Sequence, residues 1–231
     1  MRARCGALIV AYSAAAARAD VDTETEPLPR QSYLRLEPSY NFSSDDGEVL
    51  TRVVFVYRGL FCPGCGPDST ASGLRIDVPV IDGGIGNIGL TEIAGLTANR
   101  NAFGLGAAVT LPTATAGEAG LQVGPAAFAQ LMAIPHLELS VLVRELISVT
   151  GTLPTTTRIR PGAVLRMPDG VFVSSDGELA ITGDTTTVPV NLRLGRSFGT
   201  HVVASIGPEI VAEGPRRGDV TARLQLNYVD F

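Results

Sequence analysis

From residue 32 onward, polar and apolar side chains alternate one by one along the chain. In SYLRLEPSYNF, Leu34, Leu36, Tyr40 and Phe42 share one parity, and Arg35, Glu37 and Asn41 share the other. Leu74, Ile76 and Val78 oppose Arg75 and Asp77, and Leu137, Leu139, Val141 and Val143 oppose Glu138, Ser140 and Arg144. TRIRPGAVLRM sets Arg158, Arg160 and Arg166 against Ile159, Ala163 and Leu165. TVPVNLRLG and VTARLQLNYVDF repeat the arrangement around Arg193 and Arg223. A period of two marks strands with one apolar and one polar face. About twelve such segments follow one another, one per roughly 16 residues, a spacing that suits antiparallel hairpins. One stretch carries a second pattern. Leu139, Leu142, Val143 and Leu146 also fit a helical face, so 126–147 stays open between helix and strand.

The connections alternate too. ANRN, IPH, PDG and SFGT are short, whereas PTATAGEAG, TGTLP, GDTTT and EGPRRGD are mostly longer and more polar. Outer-membrane barrels have short turns at one end and longer loops at the other. The segment holding CPGC departs from this, being long on the short-turn side. Pro38, Pro125, Pro161 and Pro208 fall inside otherwise regular strands, and a proline there implies a bulge, an edge or an interruption.

The start of the chain reads as an export signal over residues 1–19. Arg2 and Arg4 precede the apolar stretch Cys5 to Ala17, and Ala17-Arg18-Ala19 forms a small-residue cleavage site. Residues 20–31, acidic and containing proline, read as a flexible mature N-terminus, and 32–231 as a single β domain. No run of about 18 apolar residues occurs, which excludes a spanning helix but says nothing of a barrel, whose apolar residues stand at every second position.

Composition narrows the function classes. The 231 residues are 45% hydrophobic with a net charge of -5, every basic residue is arginine, and no basic patch marks a nucleic-acid binder. A lipid-facing arginine near mid-bilayer costs roughly 2–4 kcal/mol. In a barrel the charged parity must therefore face inward. The expected lumen residues are Arg35, Glu37, Arg52, Arg58, Arg75, Asp77, Glu92, Glu138, Arg144, Arg158, Arg160, Arg166, Arg193, Glu209 and Arg223. Tyr33, Tyr40, Phe42, Tyr57, Phe61, Phe198, Tyr228 and Phe231 would supply a sparse aromatic girdle. The rival architecture is a secreted two-sheet sandwich with the apolar parity in a dry core.

LRIDVPV (74–80), GIGNIGLTEIAGL (84–96), GLGAAVTLPTAT (104–115) and GLQVGPAAFAQ (120–130) follow in an order that resembles bacterial outer-membrane proteins of the phenol-degradation meta-pathway type, described as transporters. VPVNLRLGRSF (188–198), SIGPEIV (205–211) and ARLQLNYVDF (222–231) look like that family's closing strands. Asn87 stands where that pattern has aspartate, and CPGC is not part of it. The resemblance implies an outer-membrane β-barrel passing small solutes, apolar ones among them.

Other chemistry is thin. Cys62 and Cys65 suggest a loop disulfide, since turn residues rather than a helix follow them and no second ligand pair completes a zinc site. His136 and His201 have no G-x-S-x-G serine to serve. The clustered glycines of GGIGNIG precede a strand-like segment, which suits a tight turn better than a phosphate loop. The acidic residues Asp45, Asp46, Glu213 and Asp219 lack calcium-loop spacing. The sequence thus points to an all-β, up-and-down antiparallel barrel of about twelve strands in the bacterial outer membrane. It would act as a passive channel or uptake protein for small, apolar or aromatic solutes, with lipid and solute as partners and no cofactor, metal or nucleic acid. A soluble sandwich that binds a ligand or partner and a barrel-embedded lipid hydrolase using His136 or His201 are the alternatives.

Overall fold

The computed structural model describes residues 32–43, 48–58, 70–81, 84–98, 101–115 and 118–229. The segments read as a signal and a flexible N-terminus, the Cys62–Cys65 pair, Phe61 and Phe231 lie outside them.

The strands are β1 (Tyr33–Asn41), β2 (Glu48–Arg58), β3 (Thr70–Ile81), β4 (Gly84–Ile85), β5 (Ile88–Ala98), β6 (Asn101–Leu111), β7 (Gly120–Ile134) and β8 (Leu137–Gly151). They continue as β9 (Thr156–Arg166), β10 (Val171–Gly177), β11 (Leu179–Thr182), β12 (Thr185–Phe198), β13 (Val202–Glu213) and β14 (Val220–Val229). β4 only borders β3. β10 and β11 are halves of one strand, both lying between β9 and β12 and interrupted at Glu178. Twelve wall strands remain. Each is antiparallel to its sequence neighbours, and β14 pairs with β1, so the sheet closes on itself. The 126–147 stretch is β7 and β8, joined at the turn Pro135-His136. Its helical pattern is a by-product of apolar residues on both faces: Leu142 and Leu146 point inward, Leu139 and Val143 outward.

The closed sheet is inverted relative to a water-soluble protein. Arg35, Arg75 and Arg193 are among its largest fully buried side chains, while Leu36, Leu96, Phe103, Leu105, Leu131 and Ile206 are exposed. Water-soluble monomers rarely show contiguous apolar patches beyond a few hundred Å². Here the apolar parity faces outward on strand after strand around the circumference, which is the surface a bilayer requires. A sandwich would place these residues between two layers, so the closed single layer excludes it. Tyr40, Phe42, Tyr57, Phe198 and Tyr228 do stand outward near strand ends. Tyr33 is a correction: it faces inward, buried, with the Arg35 guanidinium 5.1 Å from its ring centre.

Tyr33, Arg58, Thr70, Ala98, Asn101 and Val229 share one end with the connections 135–136, 167–170 and 199–201. The other end carries Asn41, Glu48, Ile81, Ile88, Leu111 and Gly120 with the connections 152–155, 183–184 and 214–219. GDTTT belongs to this second end but is no long loop, because Thr182 pairs directly with Thr185. Pro38, Pro125, Pro161 and Pro208 all take the outward parity in their ladders.

Close strand approach explains two glycines. A Cβ on Gly106 would sit well inside contact distance of the Glu92 carbonyl oxygen, and one on Gly124 would meet the Glu145 carbonyl in the same way. Glycine at such points lets a barrel wall bend sharply. Gly124→Val should therefore impair closure, read as loss of the heat-modifiable, fast-migrating gel form, whereas Ala127→Val on the outer face of the same strand should retain it.

Candidate functional site

The inner wall is built from alternate residues of strands whose opposite face meets lipid, so its composition follows from strand register. Arg35 and Glu37 on β1, Arg52 and Arg58 on β2, and Arg75 and Asp77 on β3 all face inward. So do Glu138 and Arg144 on β8, Arg158, Arg160 and Arg166 on β9, Arg193 on β12, Glu209 on β13 and Arg223 on β14. Glu92 does not. It pairs with Leu74 and Ala107 on the outer face, and the inward position beside it is Thr91. Two polar residues adjoin in LTEI, so the alternation is locally ambiguous, and charge alone points to the wrong one. A carboxylate costs less than an arginine on the lipid face, so the barrel tolerates it. Glu145 is also outward, opposite Thr157.

Two inward carboxylates, Asp176 and Glu178, are missing from the expected lumen set, although the segment VFVSSDGELAI that carries them reads as a strand. The register continues through it, placing Phe172, Ser174 and Asp176 inward opposite Arg166, Val164 and Gly162. An inward set of amides, Gln122, Gln130, Asn191, Gln225 and Asn227, is also buried. Uncharged and scattered, these carry little signal in sequence.

The charges are organised as local clusters. Arg223 spans two carboxylates, Glu37 at 2.5 Å and Glu209 at 2.6 Å. Arg166 meets Glu138 at 3.3 Å, Arg75 forms a two-pronged pair with Asp77 at 2.7 and 2.8 Å, and Arg193 pairs closely with Asp176. Arg35 donates from Nε to the Asn227 Oδ1 at 2.7 Å. One further cluster is unequal. Arg144, Arg158 and Arg160 all approach one carboxylate, Glu178, at 3.8, 3.3 and 3.1 Å. Arg144 and Arg158 stand directly opposite each other on β8 and β9, a like-charge cross-strand pair that is unfavourable without a counter-ion. Arg52, on the far wall, lies within electrostatic range of Glu178.

The wall from β5 to β7 is different. Its inward positions include Thr91, Ile93, Gly104, Gly106, Ala108, Ala126 and Phe128, none of them charged. Arg144 reaches from β8 across this wall to the Thr91 hydroxyl on β5, at 3.4 Å. It can do so because the intervening positions at that level are glycine and alanine. A cavity of about 360 Å³ opens at the loop end, lined by Ser39, Asn41, Thr187, Glu209, Thr221 and Arg223 among others.

The histidines sit at the opposite end. His136 is an exposed turn residue with φ 79°, and His201 places its Nδ1 3.1 Å from the Val229 carbonyl while stacking on Tyr228 at 6.0 Å. Among the described residues, neither has a serine or carboxylate partner of the kind a hydrolase requires.

No family model matches the chain, and no curated protein matches it in sequence. Solved structures do match. An outer membrane channel from Pseudomonas putida F1 is 12% identical with a TM-score of 0.65, over 91% of this chain and 100% of that one. The NanC porin is 9% identical with a TM-score of 0.62, over 84% and 98%. Outer membrane phospholipase A from Escherichia coli is 10% identical with a TM-score of 0.52, over 94% and 98%. At these identities the likeness is one of fold: the chain is a twelve-stranded antiparallel β-barrel of the outer-membrane type, similar to porin-like channels.

Proposed function

We propose that the protein is a narrow passive channel of the outer membrane that favours small anions. One observation carries this reading: the guanidinium groups on the inner wall outnumber its carboxylates, although the whole chain is net acidic. A charged ring or ladder inside a pore sets which ion enters, and arginine favours anions. The near-complete burial of inward side chains such as Arg35, Arg75 and Arg193 implies a small conductance. The N-terminal segment fits this reading as the export signal that would bring the chain to the membrane.

In planar bilayers under a potassium chloride gradient, the wild-type protein is expected to show a reversal potential on the chloride side. Arg160→Glu should move it toward potassium while leaving the heat-modifiable folded form intact. A cation-selective wild type would overturn the reading. A second reading, uptake of apolar or aromatic solutes, is favoured by the cluster of Ile93, Phe128, Leu142 and Leu146 on the inner wall. Its signature would be uptake of a neutral aromatic solute into proteoliposomes faster than into empty ones.

A further inference from the structure

We infer that Glu178 is a tethered counter-ion occupying an anion site formed by Arg144, Arg158 and Arg160, and that a solute carboxylate passes by displacing it. This rests on the anion-channel reading and names the residue that controls it.

Three observations converge. The first is charge: three guanidiniums from two strands converge on Glu178, Arg52 also lies within electrostatic range of it, and Asp77, the other carboxylate acting on Arg144, is itself paired with Arg75, so the cations named here outnumber the carboxylates. The second is access. The Arg158 side chain is 39% exposed, against 8% for Arg160 and 10% for Arg144, so the site has an open side. An incoming carboxylate can meet Arg158 before Glu178 leaves, and the exchange never strips all three cations at once.

The third is mechanical. Glu178 interrupts the strand that β10 and β11 otherwise form. The register puts Pro161 of β9 opposite Gly177 and Pro189 of β12 opposite Glu178. The Glu178 N–H donates to the Pro189 carbonyl at 3.0 Å, but Pro189 has no N–H to return. Pro161 likewise offers none to Gly177. Two successive rungs are therefore missing, one on each side, at the residue that bears the carboxylate. β12 is also irregular there, its ladder with β13 shifting between Val188 and Pro189. A wall segment short of these two bonds has fewer to break when it moves, the Glu178 N–H bond to Pro189 being the one that remains on that side. Asp176 lies in β10 beside the same interruption but is paired with Arg193, and the remaining inward carboxylates of the pairs described sit within continuous strands, so Glu178 combines an excess of cations with the loosened position itself.

The ligand class follows from the stand-in. Glu178 presents one carboxylate to the site, so a small monocarboxylate can make the same contacts, and acetate is the direct probe. In planar bilayers, Glu178→Gln should raise the chloride-to-potassium permeability ratio at least threefold. It should also lower, by fivefold or more, the acetate concentration that halves chloride current. Glu145→Gln, a carboxylate on the outer face, serves as the control and should change neither. If Glu178→Gln does not reach the folded gel form, Arg158→Gln provides the test and must raise the half-blocking acetate concentration by a similar factor. A wild type that is anion-selective, with both quantities unmoved by the Glu178 or Arg158 variant, overturns the inference and leaves the channel reading standing. A silent wild type and a conducting Glu178→Gln channel would support it in its strongest form, with Glu178 as the gate. A wild type and variant that are both silent or both cation-selective overturn reading and inference together.

Discussion

Arg193→Ala is expected to lower the unfolding free energy by about 3–5 kcal/mol, the usual cost of removing one partner from a buried ion pair. Arg193 and Asp176 have side chains only 1% and 2% exposed, and they pair across neighbouring strands on the inner wall. Deleting the guanidinium takes the paired cation from a buried carboxylate, and Asn191 Nδ2, at 3.4 Å, brings no charge to replace it. Replacing the two together by Met and Leu should recover most of the loss, because two apolar groups need no counter-charge. Reversible denaturant unfolding in lipid vesicles, followed by circular dichroism, measures both variants. Equal losses in the single and double variants would show that packing rather than charge governs this point in the wall.

Leu105→Arg should cost about 2–4 kcal/mol in a bilayer. Leu105 stands at the centre of β6, is 60% exposed, and is flanked across the sheet by Ala94 and Ala127. In water, the same substitution at so open a site would be close to neutral. The result therefore reads out which solvent touches the outer face. Vesicle-based unfolding supplies the number. A change within about 0.5 kcal/mol would place Leu105 in water and remove the reason for the inverted distribution of charge.

Much of the architecture was legible because a lipid-facing strand obeys a strict rule: one charged residue on the wrong parity is costly, so alternation is kept over many strands. Arg35, Arg75, Arg193 and Arg223 could be read in this way because each is flanked by aliphatic residues. Reading failed where the rule relaxes. Glu92 has a polar neighbour in Thr91, and glutamate is tolerated on the outer face, so neither parity was forced. Asp176 and Glu178 were missed because Ser174, Ser175 and Asp176 put polar residues on both parities of their strand and blur the alternation. Tyr33 suits a membrane interface by type, but it is committed inward by its parity with Arg35. Clustering was not legible at all. Which arginines share Glu178 depends on the stagger of β8 against β9 and β10, which is a property of closure and not of any one strand.

The seam between β1 and β14 joins the first and last described strands, Tyr33 opposite Val229. Arg35 with Asn227, and Glu37 with Arg223, reach across it. While the first and last strands are apart, those two contacts are open and water must stand in for them, although Arg223 keeps Glu209 on its own side. Zipping the edges together is thus also the act that neutralises this part of the interior, and whatever keeps the sheet open during insertion has to keep that strip wet.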